Sequence, residues 1–163
     1  MTRVARFLPV SDGQFRADWQ DAFPGAALPE RPGPPRRATA GSAGYDFFSP
    51  LDFHLEPGES IRIPTGYRAR IAAGWVLMLF PRSGLGFKYR LQLNNTVGIV
   101  DADYFGARNE GHIFIKLTNA GDRPLSVGAG EAFAQGVFVP YGLTEDDGAG
   151  GLRVGGFGST DQK

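Results

Sequence analysis

Apolar and polar positions change rhythm once along the chain, near residue 40. Before that point the one sustained pattern is helical. Within Ser11–Phe23 the aromatics Phe15, Trp19 and Phe23 recur every four residues, which puts them on one face of an α-helix. Ser11 or Asp12 stands where an N-cap belongs. The stripe reads as core or interface rather than a ligand box. Val4–Val10 ahead of it predicts a first strand. Pro24–Thr39 (PGAALPERPGPPRRAT) is rich in proline and charge and predicts an extended connector. Arg36 and Arg37 read as solvated there, with a phosphate contact as the minor alternative.

From Ala40 onward the texture is that of short strands. Ser60–Ile63, Tyr67–Ile71 and Trp75–Phe80 are bounded by the turns PGE, PTG and AAG. His112–Leu117 sets Ile113, Ile115 and Leu117 against His112, Phe114 and Lys116, the two-residue period of a half-buried strand. Asn119–Arg123 reads as a turn and Ala132–Tyr141 as a further strand. With 24 glycines and 12 prolines as punctuation, the pattern predicts an all-β sandwich or jelly roll. No sustained helical period follows Phe23, and no internal repeat is visible.

Composition narrows the function classes. A chain of 163 residues predicts one domain with a sizeable core. Lys+Arg and Asp+Glu both number 17, against the basic excess of a general nucleic-acid or anionic-membrane binder. Room remains for a small anionic ligand held by a few local cations. The absence of cysteine excludes disulfides, thiolate metal sites and cysteine nucleophiles. His54 and His112 lack metal-ligand spacing and read as surface or sheet histidines. The opening MTRVARFLPV has too short an apolar run for a signal peptide, and no stretch has the length of a membrane span. The expectation is a cytoplasmic protein with neither membrane nor nucleic-acid partners.

Four segments carry chemistry. Leu91–Gly106 (LQLNNTVGIVDADYFG) predicts a tight β-hairpin. On it Asp101 can activate water and Tyr104 can lie against a sugar or base, although Asn-Asn and Asp-x-Asp are also ordinary turn-makers and Tyr104 also fits a core. Pro81-Arg82-Ser83-Gly84 ends an apolar strand. Arg82 suits phosphate or carboxylate, Ser83 offers a donor and Gly84 exposes its amide; alternatively Arg82 pairs with Asp46. Gln135, inside AFAQGVFVPY, is polar in an inward-looking run and needs a partner. The tail 144–163 sets Arg153, Phe157, Ser159 and Thr160 among glycines. It reads either as a loose terminus or as a cover for a planar, anionic ligand. It is not a Walker loop.

In this order the segments resemble the trimeric dUTPase family, the dUTP pyrophosphatases. The five motifs stand as Ala43-Gly44-Tyr45-Asp46, PRSGLGFKYRL from Pro81, NTVGIVDADYFG from Asn95, AFAQGVF from Ala132 and GGFGST from Gly155. The spacer EPGESIRIPTGYRARI from Glu56 is similar too, so the resemblance spans Ala40–Thr160. It implies an all-β jelly roll (the dUTPase-like β-clip) with a short N-terminal helical insertion. Residues 1–143 would form the domain, including insertion 11–39, and 144–163 the tail closing over an active site. It further implies a homotrimer with shared sites: one subunit supplies the first, second and fourth motifs, a neighbour the third, and the remaining subunit its tail.

The implied reaction is dUTP plus water giving dUMP and pyrophosphate, with Mg²⁺ on the triphosphate and no direct protein ligands. By the resemblance Asp101 activates the water attacking the α-phosphorus, and Tyr104 lies beneath the deoxyribose. Asn95 and the backbone near Gly98 read the uracil edge, while Phe157 closes over the base. Arg82, Ser83, Gly84, Gln135, Arg153, Ser159 and Thr160 meet the phosphates, with Asp46 in support.

The chain departs from the family pattern at four places. Ala132 and Leu152 stand where arginines are usual, Arg153 being one residue displaced. ARNEG (Ala107–Gly111) looks inserted after the third motif, and Ser11–Pro35 is longer than usual, its helix expected to decorate the trimer. Two rivals remain: a dCTP deaminase of the same fold, which typically carries arginine where Phe87 stands, and a catalytically weak nucleotide-sensing trimer.

Overall fold

A computed structural model describes residues 2–151 and Gly155. The chain runs β1 (Ala5–Pro9), α1 (Asp12–Ala22), β2 (Tyr45–Phe48), β3 (Phe53–Leu55), β4 (Ser60–Pro64) and β5 (Tyr67–Ile71). It continues through β6 (Trp75–Pro81), α2 (Ser83–Tyr89), β7 (Leu91–Leu93), β8 (Gly98–Val100) and a 3-10 turn at Ala102–Gly106. It closes with β9 (Phe114–Asn119), β10 (Leu125–Val127) and β11 (Ala132–Pro140). The result is a β jelly roll. One sheet has the order β2-β11-β6-β8, a second β4-β9-β7, and β1-β5 and β3-β10 form two-stranded ribbons.

Alternation explains how these strands share a core. On β9 Ile115 and Leu117 are buried while Lys116 is exposed, as the strand's period of two requires. They meet Phe47, Leu77, Leu79, Val100 and Phe133 from the other sheet in one apolar cluster. Each such side chain contributes about 1.5–3 kcal/mol by leaving water.

The N-terminal segment adds a small second cluster. Ser11 caps α1 by accepting the Gln14 N–H at 3.1 Å, and the four-residue stripe buries Phe15 and Trp19 against Val10. The connector beyond is pinned twice. The Tyr67 hydroxyl donates to the Pro32 carbonyl at 2.6 Å, and burial raises that phenol's pKa despite Arg31 nearby. Arg36 and Asp46 then exchange backbone hydrogen bonds of 3.3 and 2.8 Å, which adds a one-residue step to the β2 edge of the large sheet.

Three expectations are corrected. Helical structure does follow Phe23: α2 escaped the periodicity because its sequence, SGLGFKY, holds two glycines and buries none of its side chains. It stops at Arg90, whose φ of 54° is a left-handed cap. Leu91–Gly106 is not a closed hairpin, since β7 pairs with β9 and β8 with β6. The turn through Thr96 (φ 65°) carries the chain from one sheet to the other, leaving only a Leu93–Thr96 bridge. His112 is no surface histidine; it is fully buried.

Candidate active site

Arg82 leaves the end of β6 with its N–H bonded to the Phe133 carbonyl at 3.0 Å, so β11 fixes where α2 begins. Its guanidinium stays nearly half exposed, and Nη1 lies 3.9 Å from Asp46 Oδ2. That is a loose surface pair of small energetic value, and it leaves N–H donors for a ligand. Ser83 and Gly84 follow, both exposed, with open space where a Gly84 side chain would stand. Gln135 answers its need for a partner with a bond of 3.4 Å from Nε2 to the Pro81 carbonyl. Its Oε1 occupies the place a Gly44 Cβ would take, 2.5 Å away. The first, second and fourth motifs are thus in mutual contact. Beside them opens a cavity of about 530 Å³ lined by Arg82, Gly84, Lys88, Phe48, Glu131 and Ala132 among others.

Asp101 is exposed at the head of the 3-10 turn, in extended conformation (φ −76°, ψ 158°), and its carbonyl accepts the Tyr104 N–H at 3.2 Å. Gly98 is buried, and a Cβ there would come within 3.0 Å of Leu79 Cβ; its small size serves packing against β6. Asn95 is exposed in the turn before it. Tyr104 is the buried residue of the same 3-10 turn. The residue is 1% exposed, its hydroxyl donating to the His112 carbonyl at 2.7 Å and accepting from Asn109 Nδ2 at 2.8 Å. Through these bonds Tyr104 anchors the turn that bears Asp101.

The same anchor reveals residues that sequence reading passed over. Glu110, in ARNEG, accepts both the Ser11 N–H (2.8 Å) and the Ser11 hydroxyl (2.7 Å), and these two bonds lower its pKa. Next to it, His112 Nε2 accepts the Gly66 N–H at 2.8 Å while Nδ1 lies 2.5 Å from Asp18 Oδ2. With Nε2 accepting from an amide, Nδ1 carries the proton and donates to Asp18. This histidine–carboxylate pair therefore has no free nitrogen for catalysis; it fastens α1 behind the turn. The hint in the sequence was that both stretches read as longer than usual.

Register decides how these parts can combine. β6 and β8 pair Leu77 with Val100 and Leu79 with Gly98, so Asp101 falls beside Val76 while Arg82 lies past the opposite end of β6. Six residues of strand separate them, about 20 Å at ~3.3 Å each. Within one chain the Asp101 turn and the Arg82 motif stand at different ends of β6. Arg153, Phe157, Ser159 and Thr160, like Leu152, lie outside the described residues.

Fold and site together define a jelly-roll protein with a cation-bearing pocket at one strand end and a carboxylate-bearing turn at the other. A family model described as dUTPase matches residues 33–159. The deoxyuridine 5'-triphosphate nucleotidohydrolase of Lactococcus lactis is 41% identical over 129 residues, 77% of this chain and 86% of the relative. That of Shigella sonnei is 40% identical over 132 residues, 76% and 84% of the two chains. The crystal structure of dUTPase from Streptococcus mutans superposes with a TM-score of 0.63 at 34% identity, covering 85% of this chain and 98% of that one. This chain belongs to the dUTPase family, whose activity is the hydrolysis of deoxyuridine triphosphate.

Proposed function

We propose that the chain converts dUTP to dUMP and pyrophosphate by water attack at the α-phosphorus, in a homotrimer whose active sites are shared between subunits. The register of β6 against β8 carries this reading. A carboxylate about 20 Å from the phosphate motif on its own chain can act only on a nucleotide held by another copy. A cyclic trimer brings each turn to a neighbour's pocket without leaving an unused half. A cytoplasmic location, where free nucleotide would be met, is part of the same proposal.

In this site Asp101 takes the proton of the attacking water as the bond to phosphorus forms, since water alone is a poor nucleophile. Arg82, Ser83, Gly84 and Gln135 receive the phosphate oxygens, and Arg82 offsets charge that grows on them. Asn95 and the backbone near Gly98 meet the uracil edge, where cytosine would present a donor in place of an acceptor. Among the described residues no three His, Asp or Glu come together. The cavity's cations and amide suit phosphate oxygens, so Mg²⁺ is read as arriving on the triphosphate itself, where it neutralises charge.

The test is incubation of the purified protein with dUTP, dCTP and dTTP plus Mg²⁺, with products identified. dUMP and pyrophosphate from dUTP alone are expected. Ammonia or dUTP from dCTP would overturn the reading. Asp101→Asn should abolish turnover while nucleotide binding persists; an active Asp101→Asn protein would remove the base assignment.

A further inference from the structure

The described residues give the phosphate pocket one arginine from the motifs, Arg82, and Asp46 beside it offsets part of that charge. Lys88 lines that pocket as well, with Glu131 in the same lining; a triphosphate carries several negative charges, so a further guanidinium with a planar fork would matter. The structure holds one outside the motifs, at Arg36 in the N-terminal insertion.

Pairing across the large sheet places it. Asp46 is opposite Gln135 on one side and opposite Arg36 on the other. Residues directly opposite each other project from the same face of a sheet, so Arg36, Asp46 and Gln135 form one row on one face. Phe48, two residues after Asp46, shares that face, and the Arg36 guanidinium lies over its ring at 4.3 Å from the centroid.

Phe48 is also a wall of the cavity that contains Arg82 and Gly84. A second cavity of about 430 Å³ is lined by Phe48, Arg36, Arg31, Gly130 and Glu30 among others. Phe48 and Gly130 line both, so the two hollows adjoin.

Arg36 is exposed, and among the described residues its guanidinium makes no hydrogen bond or ion pair. A guanidinium resting a face on an aromatic ring keeps its N–H donors at its edge, in the planar fork that matches phosphate. It is weakly hydrated and already held in place, so little ordering is left to do when an anion arrives.

We propose that Arg36 is a second phosphate-binding arginine of this site, taking the terminal phosphate of the nucleotide as the chain of phosphates passes Phe48. This rests on the reading of the Arg82 pocket given under the proposed function, and it gives the N-terminal insertion a part in substrate binding. Ala132, opposite Phe48 in the pairing of β11 with β2, leaves the ring uncrowded on that side.

The experiment compares wild type, Arg36→Ala and Arg36→Lys. Affinity is measured by calorimetry for dUMP and for α,β-imido-dUTP, which is not hydrolysed, alongside KM and kcat for dUTP. The backbone bonds to Asp46 survive both substitutions, and urea midpoints check the fold. Arg36→Ala should weaken the imido analogue by about ten- to a hundredfold, the range for a hydrogen bond to a charged group, and raise KM alike. Affinity for dUMP should hold. Arg36→Lys should recover part of the loss, as a charge without the planar fork. Equal affinity of wild type and Arg36→Ala for the analogue overturns the proposal, and so does a parallel loss on dUMP. A wild type that neither binds the analogue nor turns over dUTP overturns the reading of the pocket itself, and Arg36's part with it.

Discussion

At Gly111 the backbone tolerates a hydrogen and nothing larger. Its φ is +69°, and a Cβ there would lie 2.5 Å from the Tyr104 carbonyl oxygen and 2.8 Å from Phe105 Cα. Those neighbours are main chain and cannot swing aside. Gly111→Ala should therefore lower stability by about 2–4 kcal/mol, combining backbone strain with overpacking, as a fall in the urea midpoint. Its neighbour Glu110 gives a pH signature. Its pKa is lowered from the ordinary 4.5 by the two Ser11 bonds. The carboxylate's contribution is thus fully present above the unfolded value and is lost as pH falls through the folded one. The stability gap between wild type and Glu110→Gln should be widest near neutrality and shrink steadily in denaturant titrations below about pH 4.5. A gap that stayed constant would show that Ser11 does not favour the ionised form. His112 was illegible at this scale because its partner, Asp18, lies 94 residues away. Nothing local distinguishes a polar position on a strand from a buried histidine with both nitrogens engaged.

Among the elements, α1 was the most legible, because an aromatic every fourth residue and a serine cap are local signals that packing then used. β4, β5, β6, β9 and β11 were readable by alternation and turn residues. What failed was the pairing of β7 and β8, since sequence proximity suggests a hairpin while the two strands pair in different sheets. Residues 107–111 were legible only as extra length after the third motif; the structure sets Glu110 on Ser11. That contact should behave as a unit. Ser11→Ala alone should cost about 1 kcal/mol through the lost cap. A double-mutant cycle with Glu110→Gln should show coupling of about 0.5–1 kcal/mol, held down by solvent at this exposed edge. Additive effects would mean that cap and insertion are independent. Because Glu110 lies between Asn109 and His112, which hold the Tyr104 hydroxyl of the turn that bears Asp101, the double variant is also expected to lower kcat for dUTP more than it raises KM.

For the whole molecule, the motif set was visible in the sequence, but the distance between its parts was not. Asp101 and Arg82 are 19 positions apart in sequence, yet the β6–β8 register sends them to opposite ends of a ladder. In the proposed trimer, chains lacking one or the other should complement. Asp101→Asn and Arg82→Ala proteins, each with little activity, should regain about a quarter of the wild-type rate when denatured together and reassembled in equal amounts. That fraction follows from random mixing with two intact contributions required per site. No recovery, after mixed trimers are verified by mass, would place both residues' work within one chain.

The β6–β8 ladder has one more consequence, and it concerns abundance. In the proposed trimer, a chain separated from its neighbours keeps Asp101 and Arg82 at opposite ends of that ladder and so lacks a complete site. On dilution through the range where copies separate, the rate per chain should therefore collapse, because assembly follows mass action; a rate per chain that holds at every concentration would overturn the shared site. The rate per molecule would then report how many copies are present, so that modest changes in expression translate into larger changes in clearance of the nucleotide.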